Sequence, residues 1–329
     1  MGTLTGVSYL DFASRMDPDN KIRAVIELLA ETNEIMQDMV VVEGNLPTGH
    51  KTTVRTGLPG VTWRLLNYGV QPTKSTSAQI TDSCGMLEAY AEVDKDLAEL
   101  NGNTAAWRLS EDRAFLESMN QSMASTLFYG STLTYPERFT GLAPRYVAIG
   151  TDPEVSTYNC VNAYSSASGS DQTSMWLVVW GENTVHGIYP KGSQGGFQHQ
   201  DLGEVTLLDA ANGRYQGFRT HYQWKLGLVV RDWRYVVRVC NIDTSAITTS
   251  VVDVLDAMCV AYDRIPSMGM GRPAFYCRGD IRTWLWRQAR ALSNTNLSVD
   301  KPEGKPVLSF LDVPIRKCDK ILKTEAVVA

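Results

Sequence analysis

The side chains in this 329-residue sequence that could do chemistry are few and scattered. The four histidines are His50, His186, His199 and His221, and none has a His, Cys or carboxylate at the spacing of a zinc or iron site. No metal centre is expected. Gly192-Ser193-Gln194-Gly195-Gly196 has the glycine content of a phosphate loop. No Gly-Lys-Ser/Thr follows it and no helical periodicity starts there, so it reads as a surface loop. No Gly-x-Ser-x-Gly elbow occurs, although a Ser/His/Asp set drawn from distant positions stays open, because triads are defined by geometry. The acid pairs Glu111/Asp112 and Asp94/Asp96 fall at expected helix starts or solvent-facing edges, where dipole and solubility account for them. Trp176, Trp180, Trp224, Trp233, Trp284 and Trp286 could line a sugar site or stack on bases. Their place inside apolar strands and a helix favours core. No catalytic residue and no cofactor or metal site is assigned.

Composition sets the frame for these residues. Hydrophobic residues make up 43% and charged ones 20%, with net charge −5. That is enough for one large domain or two medium ones, and it argues against a disordered chain or a dedicated nucleic-acid binder. The charge is unevenly placed, since residues 264–323 hold twelve Lys/Arg against five Asp/Glu. Such a stretch could meet an acidic face of another copy, tolerate packed phosphate, or be a solvated helix face. The cysteines at 84, 160, 240, 259, 277 and 318 form no C-x-x-C pair, and several lie in apolar runs, as buried free thiols in a reducing compartment do. The N-terminus lacks a basic region followed by an apolar core, and no stretch approaches about 18 uncharged apolar residues. Secretion and membrane spanning are therefore not expected.

The elements that must position these side chains follow from periodicity. Asp17-Pro18 opens an amphipathic helix through Ile22, Val25, Ile26, Leu29 and Met36, ending near Met39. Residues 40–83 are punctuated by Gly and Pro, with β-type runs at Lys51–Thr56 and Val61–Leu66, and they read as a two-stranded excursion too poor in apolar residues to bury a core. Leu87, Ala89, Ala91 and Val93 alternate with polar residues as a half-buried strand. Ser110-Glu111-Asp112 forms an N-cap for a helix carrying Phe115, Met119, Met123 and Leu127, which starts there or near Thr104 and stops at Gly130. Hairpins are expected for Met175–Trp180 with Thr184–Tyr189, and for Leu226–Val230 with Trp233–Ile242. Helices are expected at Val251–Arg264 and Asp280–Leu292, with strand Ala274–Cys277 between them. Pro306–Ile315 reads as a strand running into a basic tail.

This order of elements resembles the major capsid proteins of tailed, particularly short-tailed, bacteriophages with the Hong Kong 97-type fold. The resemblance rests on the arm helix, the Gly/Pro loop, the spine helix at 104–129 and the junction Arg138-Phe139-Thr140-Gly141-Leu142-Ala143. It rests also on the strings 175–181, 185–192 and 227–232 and on the closing Phe310-Leu311-Asp312-Val313-Pro314-Ile315. It implies an α+β fold divided into an N-terminal arm (1–44), an extended loop (45–83), a peripheral domain with the spine helix (84–150), an axial domain (151–300) and a C-terminal strand returning to the peripheral domain (301–329). It further implies a structural protein, not an enzyme, whose hexamers and pentamers close an icosahedral head around double-stranded DNA. The implied partners are further copies of the chain and scaffolding, portal and cement or decoration proteins. The implied location is the virion, assembled in the host cytoplasm, with no cofactor and no membrane. Candidate subunit-contact residues are Lys51, Arg55, Trp63, Arg64, Arg282, Arg287 and Arg290. On the residues alone, a hydrolase with dispersed catalytic groups and a β-rich carbohydrate-binding or adhesion protein stay open.

Overall fold

In the computed structural model, residues 33–99, 104–164, 169–209, 211–247, 253–290, 297–300 and 306–329 are described. The expected helix from Asp17 lies mostly outside them; within its expected span Asn33 makes a β-bridge to Cys318, and a separate single turn, α1, covers Ile35–Asp38.

Two fully buried strands form the middle of the sheet. They are β5 (Gln172–Trp180) and β9 (Val236–Asp243), in which the apolar run Met175–Trp180 and Val236, Val237, Val239, Cys240 and Ile242 suit burial on both faces, and Ser174 and Arg238 are buried with them. The antiparallel neighbours of β5 are β9 and β10 (Arg272–Cys277). Its core includes Trp176, Trp180, Phe275 and Phe310, and the other tryptophans of the 176–286 set pack around it. Helices α4 (Val254–Asp263), capped by Asp253, and α5 (Gly279–Gln288) bury Met258, Ala261, Ile281 and Leu285 against this core.

Strand β3 (Thr76–Asp94) is 19 residues long. At about 3.3 Å per residue it reaches roughly 60 Å. Its second half pairs antiparallel with β8 (Arg214–Val230), from Cys84↔Gly227 to Asp94↔Gly217. The spine helix of 26 residues, Thr104–Tyr129, lies on this face with Met119 against Ala91 and Tyr222. A short helix Lys95–Glu99 precedes it, so in chain order these are α2 and α3. The helix ends at Gly130, where a Cβ would stand 2.4 Å from the Phe139 carbonyl oxygen. All six cysteines are free thiols, with Cys84 and Cys259 half-buried and the rest buried. Among the described residues no helix is long and apolar enough to cross a membrane.

Several local expectations fail for one reason, that strands pair where free edges exist. Val61–Leu66 is not a strand, because no partner lies beside it; the partner of β2 (Gly49–Gly57) is the first half of β3. The strand before Trp180 and β6 (Val185–Tyr189) meet only at Trp180 and Val185 and form no hairpin. Both edges of β5 are already taken, so β6 pairs with β8 and with β1 (Val41–Glu43) instead. The second expected hairpin is absent too. Asp232 accepts the Arg234 amide in a 3-10 turn, Trp233–Tyr235, that carries the chain across to β5. The long hairpin that does form is β7 (Phe197–Leu208) with β8. Ser110 is no N-cap, since the helix runs through it from Thr104. The closing element is two strands, β12 (Val307–Phe310) and β13 (Val313–Lys317), turned at Leu311 and Asp312 with φ 46° and 66°.

Candidate subunit-contact surfaces

The excursion between β1 and α3 is a finger. Strands β2 and β3 pair from Gly49↔Ser83 to Gly57↔Thr76, and the tip is irregular. Residues 58–81 are all exposed, among them Leu58 (83%), Val61 (94%), Trp63 (102%) and Leu66 (88%), with Leu65, Tyr68 and Val70 beside them in the chain. Seven large apolar side chains in thirteen residues form a patch that a monomer rarely leaves in water. Between Lys51 and Thr81 the finger carries Lys51, Arg55, Arg64 and Lys74 and no acidic residue.

Its base is held far more firmly than its tip. Asp82 is buried and takes Arg145 Nη2 at 2.7 Å, and the same guanidinium donates to the carbonyls of Thr140, Gly141 and Leu228 at 3.2 Å. Gly49 sits so close to β3 that a Cβ would lie 2.0 Å from the Asp82 carbonyl oxygen. Asn45 closes the turn before β2, accepting the Lys51 amide at 2.7 Å and donating to its carbonyl at 2.8 Å. Behind β2, His50 packs edge-on to His186, with ring centroids 5.8 Å apart. His186 is buried, which holds its pKa down to about 4, with His50 and Arg231 adding to the effect.

The second candidate surface is the basic side of α5. Arg282 reaches Glu34 of its own chain at 3.3 Å, and Arg316 joins Glu34 at 3.4 Å and Asp38 at 3.2 Å. The N-terminal segment therefore covers part of the basic stretch, while Arg287 and Arg290 remain exposed. The seven contact candidates fall into two places: Lys51, Arg55, Trp63 and Arg64 on the finger, and Arg282 and Arg287 on α5 with Arg290 just past its end.

Sequence reasoning missed a third feature. Arg238 in the middle of β9 and Glu325 of the C-terminal tail form a buried pair at 2.8 Å, their side chains 7% and 6% exposed. Arg238 also donates to Ser174 Oγ at 3.0 Å and to the Tyr146 carbonyl at 2.8 Å, with Trp176 under its guanidinium at 5.2 Å. Ser174 and Tyr129, the last residue of α3, donate their hydroxyls to the Glu325 carboxylate. The tail thus locks the end of the spine helix to the central sheet. A cation inside the apolar run 236–240 was the signal for a hidden counterion.

The family described as Major capsid protein GP7 matches residues 17–329. A chain from the near-atomic structure of bacteriophage Epsilon15 is 34% identical, with TM-score 0.78, covering 100% of this chain and 98% of that one. The bacteriophage JBD30 capsid is 10% identical with TM-score 0.51 over 89% of this chain and 92% of that one, a likeness of fold alone. No curated protein matches.

Proposed function

Taking as premise that this chain belongs to the major capsid protein GP7 family, and so has the Hong Kong 97-type fold and a structural role in a phage capsid, we propose how it performs that role. Copies join into hexamers and pentamers that close an icosahedral shell around double-stranded DNA, with no catalysis required of any residue. Assembly takes place in the host cytoplasm with scaffolding, portal and decoration proteins as partners. The contact residues are Lys51, Arg55, Trp63 and Arg64 on the finger, Arg287 on α5 and Arg290 just past its end. Arg282 acts through Glu34, holding the N-terminal segment in place. The chain is divided into an N-terminal arm (1–44), an extended loop (45–83), a peripheral domain (84–150), an axial domain (151–300) and a C-terminal strand (301–329).

The observation that carries this reading is the finger, whose anchored base and wholly exposed apolar tip make sense when the tip is buried by a neighbour. Burial contributes roughly 25 cal/mol per Å² before ordering costs, and a ring or shell repeats the contact many times. Replacing residues 58–73 by a short turn leaves the β2–β3 ladder and the core intact. The shortened chain is expected to stay a soluble, folded monomer by size exclusion and to form no shells by negative-stain microscopy. Normal particles would refute the role assigned to the finger.

A further inference from the structure

Residues 60–73 form a closed loop at the end of the finger. Thr73 Oγ1 donates to the Gly60 carbonyl at 2.7 Å and ties the two limbs at a neck, just beyond the last rung of the ladder, Gly57↔Thr76. Past the neck, six of the ten residues 61–70 are large and apolar: Val61, Trp63, Leu65, Leu66, Tyr68 and Val70, all of them exposed. The middle of the loop is a turn in which the Tyr68 amide donates to the Leu65 carbonyl at 3.3 Å and Asn67 has φ 65°. Turns normally carry Gly, Pro, Asn, Asp or Ser, but here Leu65 and Leu66 take two of the four positions. We propose that, before assembly, this loop is a shallow wedge that docks the free chain on an anionic lipid bilayer, with Trp63, Leu66 and Tyr68 among the headgroups and Arg64 and Lys74 against lipid phosphates. The inference goes beyond the shell-forming reading and holds whether or not a neighbour later covers the tip.

Three observations choose a bilayer over a protein groove. A groove on a folded partner covers one side of a loop, whereas the apolar side chains here are bare all round, adjacent Leu65 and Leu66 included. A bilayer interface surrounds a wedge. The second observation is composition. Trp and Tyr, with an apolar body and a polar tip, and long cationic side chains are the groups that settle at a membrane–water interface, and no acidic residue lies between Lys51 and Thr81 to oppose them. An anionic surface attracts each cation within a Debye length, about 8 Å at physiological salt. Arg64 lies in the loop, and Arg55 and Lys74 flank the end of the ladder. Lys51, paired with Thr81 five residues below Thr76 and so about 17 Å further down, is out of range. The third observation is reach. Thr76 and Cys84, where β3 joins β8, are eight residues apart, about 26 Å along the strand, so the loop meets a surface before the body of the fold does.

The wedge goes no deeper than the interface. The loop backbone is irregular, and its amides and carbonyls cannot be left without partners in hydrocarbon, so they stay among headgroups and water. Charge also localises the contact. The chain as a whole carries −5 and is repelled by an anionic surface, so attraction has to come from one patch. The finger is where cations without acidic neighbours and bare apolar side chains coincide.

The test uses the full chain, kept unassembled, and vesicles of phosphatidylcholine alone or with roughly three-tenths phosphatidylglycerol, sedimented after mixing, with the lipid-free pellet subtracted. The chain is expected to bind the anionic vesicles at least about tenfold more tightly than phosphatidylcholine alone, and to weaken severalfold when salt is raised from about 0.05 M to about 0.5 M. Two variants leave the core intact, since every replaced side chain is exposed: Trp63→Ser with Leu66→Ser, and Arg64→Glu with Lys74→Glu. Each is expected to bind anionic vesicles at least about tenfold more weakly, with unchanged thermal unfolding of the free chain. A free chain that stays in solution at a large excess of anionic lipid overturns the proposal and leaves the tip to a protein groove. Binding that both variants keep at wild-type strength also overturns it, because the contact then lies elsewhere, as on the basic side of α5. Neither result touches the role of the finger in shells, which the 58–73 replacement tests by itself.

Discussion

Replacing Glu325 by alanine should be among the most damaging single changes in the subunit, although it removes a side chain only four residues before Ala329. The carboxylate serves three donors, the buried Arg238 and Ser174 and the half-buried Tyr129. Its loss leaves a guanidinium 7% exposed with no counterion, and two hydroxyls without their acceptor. Breaking a buried ion pair from one side costs about 3–5 kcal/mol, a large part of the roughly 5–15 kcal/mol by which a domain is stable. Urea unfolding of unassembled chains measures it, and tryptophan emission is a suitable signal because Trp176 lies under the Arg238 guanidinium. The midpoint should fall by an amount equivalent to about 3 kcal/mol or more, and Glu325→Gln, which keeps an acceptor oxygen, should lose less. Arg238→Met combined with Glu325→Leu should be more stable than either single change, since the orphaned charge is then gone. A Glu325→Ala chain within about 1 kcal/mol of wild type would show that the tail does not latch the spine helix to the sheet.

Two further outcomes concern the base of the finger. His186 is held down to about 4 while its unfolded value is about 6.5, so the unfolded chain takes up the proton first as pH falls. Its neutral form is fully compatible with folding above pH 6.5, and stability should decline between pH 6.5 and about 4, by up to about 3 kcal/mol; His186→Gln should flatten that decline in urea titrations run at each pH. A variant as pH-sensitive as wild type in this window would place the effect elsewhere. Gly49→Ala sets a methyl 2.0 Å from the Asp82 carbonyl oxygen and should cost about 1–3 kcal/mol, concentrated at the finger. Limited proteolysis of the free chain should then cut between residues 50 and 82 faster than in wild type, and an unchanged rate would contradict the close approach.

What the sequence disclosed and what it withheld divide along local and non-local lines. The spine helix was legible because Phe115, Met119, Met123 and Leu127 recur every four residues, and the buried face of β3 because Leu87, Ala89, Ala91 and Val93 alternate. Pairing was not legible. Gly181-Glu182-Asn183 looks like any hairpin turn, and only knowledge that β9 and β10 flank β5 removes the partner it would need. Val61–Leu66 has β-type residues, but a strand is a property of a pair, and no neighbour in this chain supplies one. The candidate finger residues could be picked out from Gly, Pro and the shortage of apolar alternation. The anchors could not, since Asp82 and Arg145 stand 63 residues apart and Arg238 and Glu325 stand 87 apart.

The placement of cations differs sharply between the body of the fold and the finger. Arg145, Arg238, Arg282 and Arg316 each meet a carboxylate of their own chain, and these pairs fasten the finger base, the C-terminal tail and the N-terminal segment to the sheet. Two cations of the basic C-terminal stretch, Arg282 and Arg316, are therefore taken up inside the fold by Glu34 and Asp38 rather than held out to a partner. The finger is the opposite case. Among the described residues Lys51, Arg55, Arg64 and Lys74 make no ion pair, and the apolar side chains between them touch water. Hydrophobic surface and charge left in water are tolerable in a monomer, but they add nothing to its stability; the same groups gain free energy only when another copy or another surface covers them. A subunit built this way keeps its own folding free energy separate from that of assembly. Changes at the base should thus unfold the chain, whereas changes at the tip should leave it folded and solitary.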